Sequence, residues 1–90
     1  MHGEICVYGT DTCEDTTRTR LHLNDLGISY HYINIEKDES AERKVREWNG
    51  GRRITPTVVI SGSGYTRRLS EPENDELDRA LDQQGLTPAA

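Results

Sequence analysis

Cys6 and Cys13 are the two thiols of a 90-residue chain, and their settings differ. Cys13 follows the small, polar run Gly9-Thr10-Asp11-Thr12 and opens a helical pattern. At a helix start, unpaired backbone N–H groups and the helix dipole favour an anion and lower a thiol pKa from its free value of about 8.5. A thiolate held there is a nucleophile. Glu14 and Asp15 act against it, because adjacent negative charge disfavours a second anion. Arg18, Arg20, Arg52 and Arg53 offset them only if the fold brings one close, and an inert, packed cysteine is the alternative for this position. Cys6 lies inside the apolar run Ile5-Cys6-Val7-Tyr8 and reads as a buried inert thiol, out of reach of Cys13 without backbone movement. Two cysteines are too few for a disulfide scaffold, and they do not stand at zinc-site spacing with His2, His22 and His31. No metal is expected, and a reducing, cytoplasmic setting is.

The elements that position these residues follow from local pattern. Ile5 to Tyr8 is a first strand. From Cys13 to Leu26 the inward positions Thr16, Thr19, Leu23 and Leu26 recur at helical spacing, with Glu14 and Asp15 in the first turn and Gly27 as the stop. Ile28 to Ile35 alternates with a period near two, so strand, helix and strand form a crossover unit with parallel strands. A second amphipathic helix runs from Glu39 to Trp48, with Ala41, Val45 and Trp48 on its inner face, and ends at Asn49-Gly50-Gly51. Thr57 to Ile60 is a strand, Ser61-Gly62-Ser63-Gly64 is a hairpin loop, and Tyr65 to Leu69 returns antiparallel. Pro72 suits the first turn of a last helix through Leu77 and Leu81, stopped by Gly85. Trp48 and Tyr8 read as core, and His22 and His31 as surface residues.

Composition sets the outer limits. At this length one domain is expected, over residues 1–85 with a frayed tail at 86–90. The net charge of −5 argues against nucleic-acid and anionic-membrane partners. No apolar run approaches the roughly 18 residues of a membrane span, and no basic-then-apolar leader opens the chain. Seventeen Leu, Ile and Val residues with no Phe would by themselves flag disorder. The agreement of strand, helix and turn signals along the chain outweighs that flag, and the class is α/β.

The order strand, small-polar loop, Cys13-Glu14-Asp15-Thr16, helix, strand, helix, then Asn49-Gly50-Gly51-Arg52-Arg53-Ile54-Thr55-Pro56-Thr57-Val58, hairpin, Pro72 and helix resembles a glutaredoxin over nearly the whole chain. It is most similar to short bacterial glutaredoxin-like proteins and mycoredoxins. The resemblance implies a thioredoxin-like fold, β-α-β-α-β-β-α, with three helices flanking a four-stranded mixed sheet in the order two-one-three-four. It also implies a catalytic nucleophile at Cys13, a cis peptide bond between Thr55 and Pro56 facing that thiol, and a Thr55 backbone that pairs with an extended substrate.

Thr16 stands where the family carries its second active-site cysteine. The resemblance therefore implies a monothiol cycle, because no disulfide can close within the motif. The Thr16 hydroxyl either donates to the Cys13 thiolate or fills vacated space. Arg53, better placed than Arg52, either attracts a substrate carboxylate or is a solvated loop residue. Thr10 replaces a lysine that helps hold glutathione in many glutaredoxins, and Glu71 and Glu73 stand where the γ-glutamyl carboxylate would bind.

The function so implied is thiol–disulfide exchange on mixed disulfides between proteins and a low-molecular-weight thiol, within cell redox homeostasis and electron transfer. The co-substrate is glutathione or mycothiol, with no bound cofactor, and the working unit is a monomer. Nine Arg against two Lys hint at a GC-rich genome and so at mycothiol. Two other classes stand beside this one. One is a redox-inactive binding module on the same fold; the other is an iron–sulfur cluster carrier, for which the usual glycine-phenylalanine-serine after the cysteine is absent.

Overall fold

The computed structural model describes residues 3–62 and 64–86. Strand β1 (Glu4–Gly9) is followed by helix α1 (Glu14–Asp25), β2 (His31–Asn34), α2 (Glu39–Trp48), the hairpin β3 (Thr57–Gly62) and β4 (Tyr65–Ser70), and α3 (Asn74–Gln83). The strands form one sheet in the order β2-β1-β3-β4. β1 is parallel to β2 and antiparallel to β3, which pairs antiparallel with β4. This is the mixed sheet with three helices expected from the residue pattern and the resemblance.

Alternation along β1 decides which helix covers which face. Ile5 and Val7 lie opposite Ile60 and Val58 in the register, and all four join Leu23 of α1 and Leu77, Ala80 and Leu81 of α3 in one buried cluster. On the other face Tyr8 and Ile33 pack against Ile35, Ala41 and Val45, which belong to α2 and its approach. α1 and α3 thus share one side of the sheet and α2 takes the other. Leu77 is fully buried, so Leu77→Ala should cost about 2–5 kcal/mol of stability, the range for opening a leucine-sized core cavity. Denaturant unfolding of both proteins measures it.

Helix ends follow their local chemistry. Asp38 caps α2 by accepting from the Ala41 N–H at 3.0 Å. Gly27 takes a left-handed φ of 70° after α1, where a side chain would be strained.

The structure departs from sequence expectation in four places. β2 covers only His31–Asn34 rather than Ile28 to Ile35, because its ladder with β1 begins at Cys6 opposite His31. The Ile28 N–H is instead spent on the Leu23 carbonyl at the end of α1. α3 starts at Asn74; Pro72 is left in the preceding loop, buried, with its carbonyl accepting from Arg18 Nη2 at 3.1 Å. Cys6 is half-buried, not enclosed, because it points to the α2 side of β1, away from Ile5 and Val7. Burial first, then the negative charge of Glu4, still push its thiol pKa up, with Lys44 opposing. Finally His22, expected at the surface, contacts Asp78 at 2.6 Å and ties α1 to α3.

Tyr8 and Trp48 meet edge to face at 5.2 Å between centroids, half-buried under the α2 side rather than deep in the core. Leu86 packs on the first cluster and its N–H donates to the Leu81 carbonyl at 2.8 Å. The rest of the expected tail, together with His2 and the loop residue Ser63, lies outside the described residues. Among the described residues no helix is long and apolar enough to cross a membrane.

Candidate active site

The loop leaving β1 brings Cys13 to the N-cap of α1. Its backbone is extended, with φ −84° and ψ 119°, its N–H donates to Thr10 O at 3.3 Å, and its carbonyl accepts the first helical bond from Thr17 at 3.1 Å. The helix dipole and the open N–H groups of the first turn therefore face the side chain.

Across from it lies the loop that joins α2 to β3. The Thr55–Pro56 bond is cis, as the resemblance implies. The Thr55 hydroxyl donates to Cys13 Sγ at 3.4 Å, and Sγ is 3.6 Å from the Thr55 carbonyl, to which the thiol form donates. Pro56 is buried, and its carbonyl accepts from the Glu71 N–H at 2.8 Å. That contact draws Glu71 into a left-handed φ of 45°, a conformation uncommon for a residue with a side chain.

Thr16 sits one turn after Cys13, 1% exposed, and its hydroxyl oxygen has no hydrogen-bond partner among the described residues. It reaches this depth because Gly9 lies beneath it; a methyl group built on Gly9 would come within 2.4 Å of that oxygen. A buried donor without an acceptor costs free energy, and a charged sulfur one turn away is the acceptor this place offers.

The balance on Cys13 can now be drawn. Burial pushes its thiol pKa up, but hydrogen bonds from the Thr16 and Thr55 side chains and from the backbone N–H groups of Thr16 and Asp15 outweigh it, and the thiol lies below its ordinary value. The contacts from Thr16 and Asp15 are loose in the thiol form, since the Cys13 side chain makes no capping hydrogen bond in the structure. They tighten on the charged form, which draws donors that a neutral thiol does not. Asp15 thus helps through its backbone while its carboxylate is turned to Arg18, 3.0 Å away.

A second carboxylate beside the loop is also held aside. Tyr32 of β2 donates to Asp11 Oδ1 at 2.8 Å. Its own pKa is pushed up to about 12 by burial, the bond to Asp11 and the charge of Asp11, with Arg20 opposing. Arg20 lies over the Tyr32 ring at 3.8 Å and is not a partner of Cys13.

Of the five residues singled out from sequence, the fold gathers Cys13, Thr16, Thr55 and Pro56. Arg53 is exposed and turned toward α2, 3.4 Å from Glu42 and 3.8 Å from Glu36. Sequence reading gives Tyr32 no place at the site and assigns Asn49 and Thr57 no role there; Glu71, expected beside a bound small thiol, also contacts the Pro56 carbonyl. Beyond their place in the motif that carries the resemblance, Asn49 reads as a helix stop and Thr57 as the start of a strand. Contacts between separate elements leave no periodic signal.

The Glutaredoxin family model matches residues 5–64. Mycoredoxin 1 of Corynebacterium glutamicum is 36% identical over 69 residues, which cover 76% of this chain and 85% of that protein. Among solved structures, the glutaredoxin-like protein NrdH-redoxin of Escherichia coli superposes with a TM-score of 0.71 at 23% identity, over 97% of this chain and 99% of that one. Glutaredoxin of Archaeoglobus fulgidus gives 0.68 at 23% identity over 88% and 86%. These two likenesses establish the shared fold, and the family match and the mycoredoxin identity go further. With a thiol at the first helix start facing a cis-proline loop, the chain belongs to the glutaredoxin family, thiol–disulfide oxidoreductases on the thioredoxin fold.

Proposed function

We propose that this protein is a monothiol glutaredoxin that removes a low-molecular-weight thiol from mixed disulfides on proteins. The observation that carries the reading is Thr16: a buried hydroxyl stands one turn after the nucleophile, where the family's resolving cysteine would be, so the cycle must finish with a thiol from outside.

Cys13 thiolate attacks the small-thiol sulfur of a protein–S–S–R disulfide. The Cys13–S–S–R bond forms, and the protein leaves as a thiolate that takes up a proton. A second small thiol, as its thiolate, then attacks the R sulfur; RSSR departs and the Cys13 thiolate is restored. The net exchange is protein–S–S–R plus RSH giving protein–SH plus RSSR: the protein sulfur returns to a thiol, one small thiol is consumed, and the disulfide passes to RSSR. Thr55 and Pro56 form the platform that holds the disulfide in line, and the hydroxyls of Thr16 and Thr55 stabilise the charge on Cys13 as it attacks and leaves.

For a small thiol that bears a carboxylate, as glutathione does and mycothiol does not, Arg53 is the loop's cation. Its pairs with Glu36 and Glu42 are exposed and of the kind worth about 0–1 kcal/mol, so a substrate can displace them. Mycothiol is the preferred small thiol over glutathione. The Mycoredoxin 1 relative supports it, and Glu71 and Glu73 at the approach to α3, with Thr10 beside the loop, make a poor seat for the γ-glutamyl end of glutathione.

Alkylation of the reduced protein against pH, with peptide mapping, tests the nucleophile. The thiolate is the reactive form, so each rate rises with pH and levels off above that thiol's pKa. Cys13, whose pKa is lowered, should level off below the ordinary thiol range. Cys6, whose pKa is raised, should still be rising there. A Cys13 profile that coincides with that of Cys6 or lies above it removes the basis of the proposal.

A further inference from the structure

Asn49, at the C-cap of α2, uses every polar atom of its side chain to join three elements. Its Nδ2 donates to the Val45 carbonyl at 2.7 Å and to Thr57 Oγ1 at 3.1 Å. Its Oδ1 accepts from the hydroxyl of Ser70 at the end of β4. Val45 O can only accept, which fixes the orientation of the amide. Since Asn49 donates to the Thr57 oxygen, the single Thr57 hydroxyl proton is free for one acceptor, and it goes to the Ile54 carbonyl at 2.8 Å. All the bonds therefore run one way, from Ser70 through Asn49 and Thr57 to Ile54, in an arrangement whose members polarise one another.

The last bond closes a four-residue loop around Thr55 and Pro56. Ile54 O belongs to the peptide unit that carries the Thr55 N–H, so fixing it sets the direction in which the Thr55 hydroxyl points. That hydroxyl is 3.4 Å from Cys13 Sγ. Thr57 is 1% exposed, so water does not replace a lost partner there. The Glu71 contact to Pro56 O pins the far end of the loop and does not restrain Ile54.

We propose that Asn49 and Thr57 are positioning residues for the Cys13 reaction: through the Thr57 bond to Ile54 O they hold Thr55 against the sulfur. The inference rests on the reading of Cys13 as the nucleophile and extends it to two side chains that touch neither thiol nor substrate.

The test is the Cys13 alkylation profile of Thr57→Val, which keeps the shape and loses the hydroxyl, beside Thr57→Ser, which keeps the hydroxyl. In Thr57→Val the Cys13 midpoint should rise by about 0.5 pH unit, roughly threefold less thiolate at pH values below the midpoint. Thr57→Ser should match the wild type. Asn49→Ala should shift the midpoint in the same direction as Thr57→Val, because the Thr57 hydroxyl then loses its donor; it also decides the matter should circular dichroism show Thr57→Val unfolded. KM for the mixed disulfide should rise more than kcat falls. Folded variants whose Cys13 midpoint equals the wild type, whatever their Tm, overturn the positioning role. A wild-type Cys13 without a lowered midpoint overturns the proposed function instead, so the two failures are distinct.

Discussion

Cys13→Ser should abolish release of the small thiol from a mixed-disulfide substrate, leaving only the rate seen without protein. A serine hydroxyl is not ionised at neutral pH, and an oxygen nucleophile does not enter the sulfur exchange on which both half-reactions depend. No other group can take over. The second thiol, Cys6, lies in β1 opposite Val59 and His31, with a pKa pushed up by burial and Glu4. Cys6→Ser should therefore retain the wild-type rate. The measurement is turnover of a protein carrying mycothiol or glutathione in mixed disulfide, followed by loss of the adduct mass. Equal rates for wild type and Cys13→Ser would sink the enzymatic reading. The thioredoxin-fold binding module would then take its place, with a pull-down as the next step.

Thr16→Cys should change the chemistry rather than the rate alone. After the first half-reaction the wild type holds the small thiol on Cys13 until another arrives from solution. With a second thiol one helical turn away, attack becomes intramolecular, and well-oriented intramolecular pairs reach effective molarities of about 10⁵ M or more. Even a small fraction of that exceeds any small-thiol concentration in the assay. The adduct should vanish from the intact mass and be replaced by a species two hydrogens lighter than the reduced variant. The wild type under the same treatment should carry the adduct. An adduct that persists equally on both proteins would mean that position 16 does not face Cys13 sulfur, and the argument for a monothiol cycle built on Thr16 would fail. The same substitution removes a buried hydroxyl that has no hydrogen-bond partner among the described residues and puts in a group close in size, so the fold has little reason to resist it.

Much of this protein is determined locally. The alternation of Ile5 and Val7, the helical spacing of Thr16, Thr19 and Leu23, and glycine stops at Gly27 and Gly50 all act over a few residues, and α2 runs over the residues its periodicity marks, Glu39–Trp48. The nucleophile is equally local, because a cysteine between a small-polar loop and a helical pattern meets the dipole of its own helix. Sheet order and the cis bond came from resemblance to a family rather than from periodicity.

What only the tertiary structure decided depends on distances between segments far apart in the chain. Whether Glu14 and Asp15 or the opposing groups prevail at Cys13 is a sum of burial against donors. It is settled by Thr55, 42 residues away, by the depth at which Gly9 lets Thr16 sit, and by the turn of Asp15 toward Arg18. Arg53 faces Glu36 and Glu42 because the loop leaves α2 along its own acidic side. The Asn49 hub draws on Thr57 and Ser70, 8 and 21 residues further along. A hydrogen bond of this kind requires one hydroxyl at one place in space, and many sequences of the same pattern would leave that place empty; hydrophobic periodicity specifies which face is buried but not which polar atoms meet there.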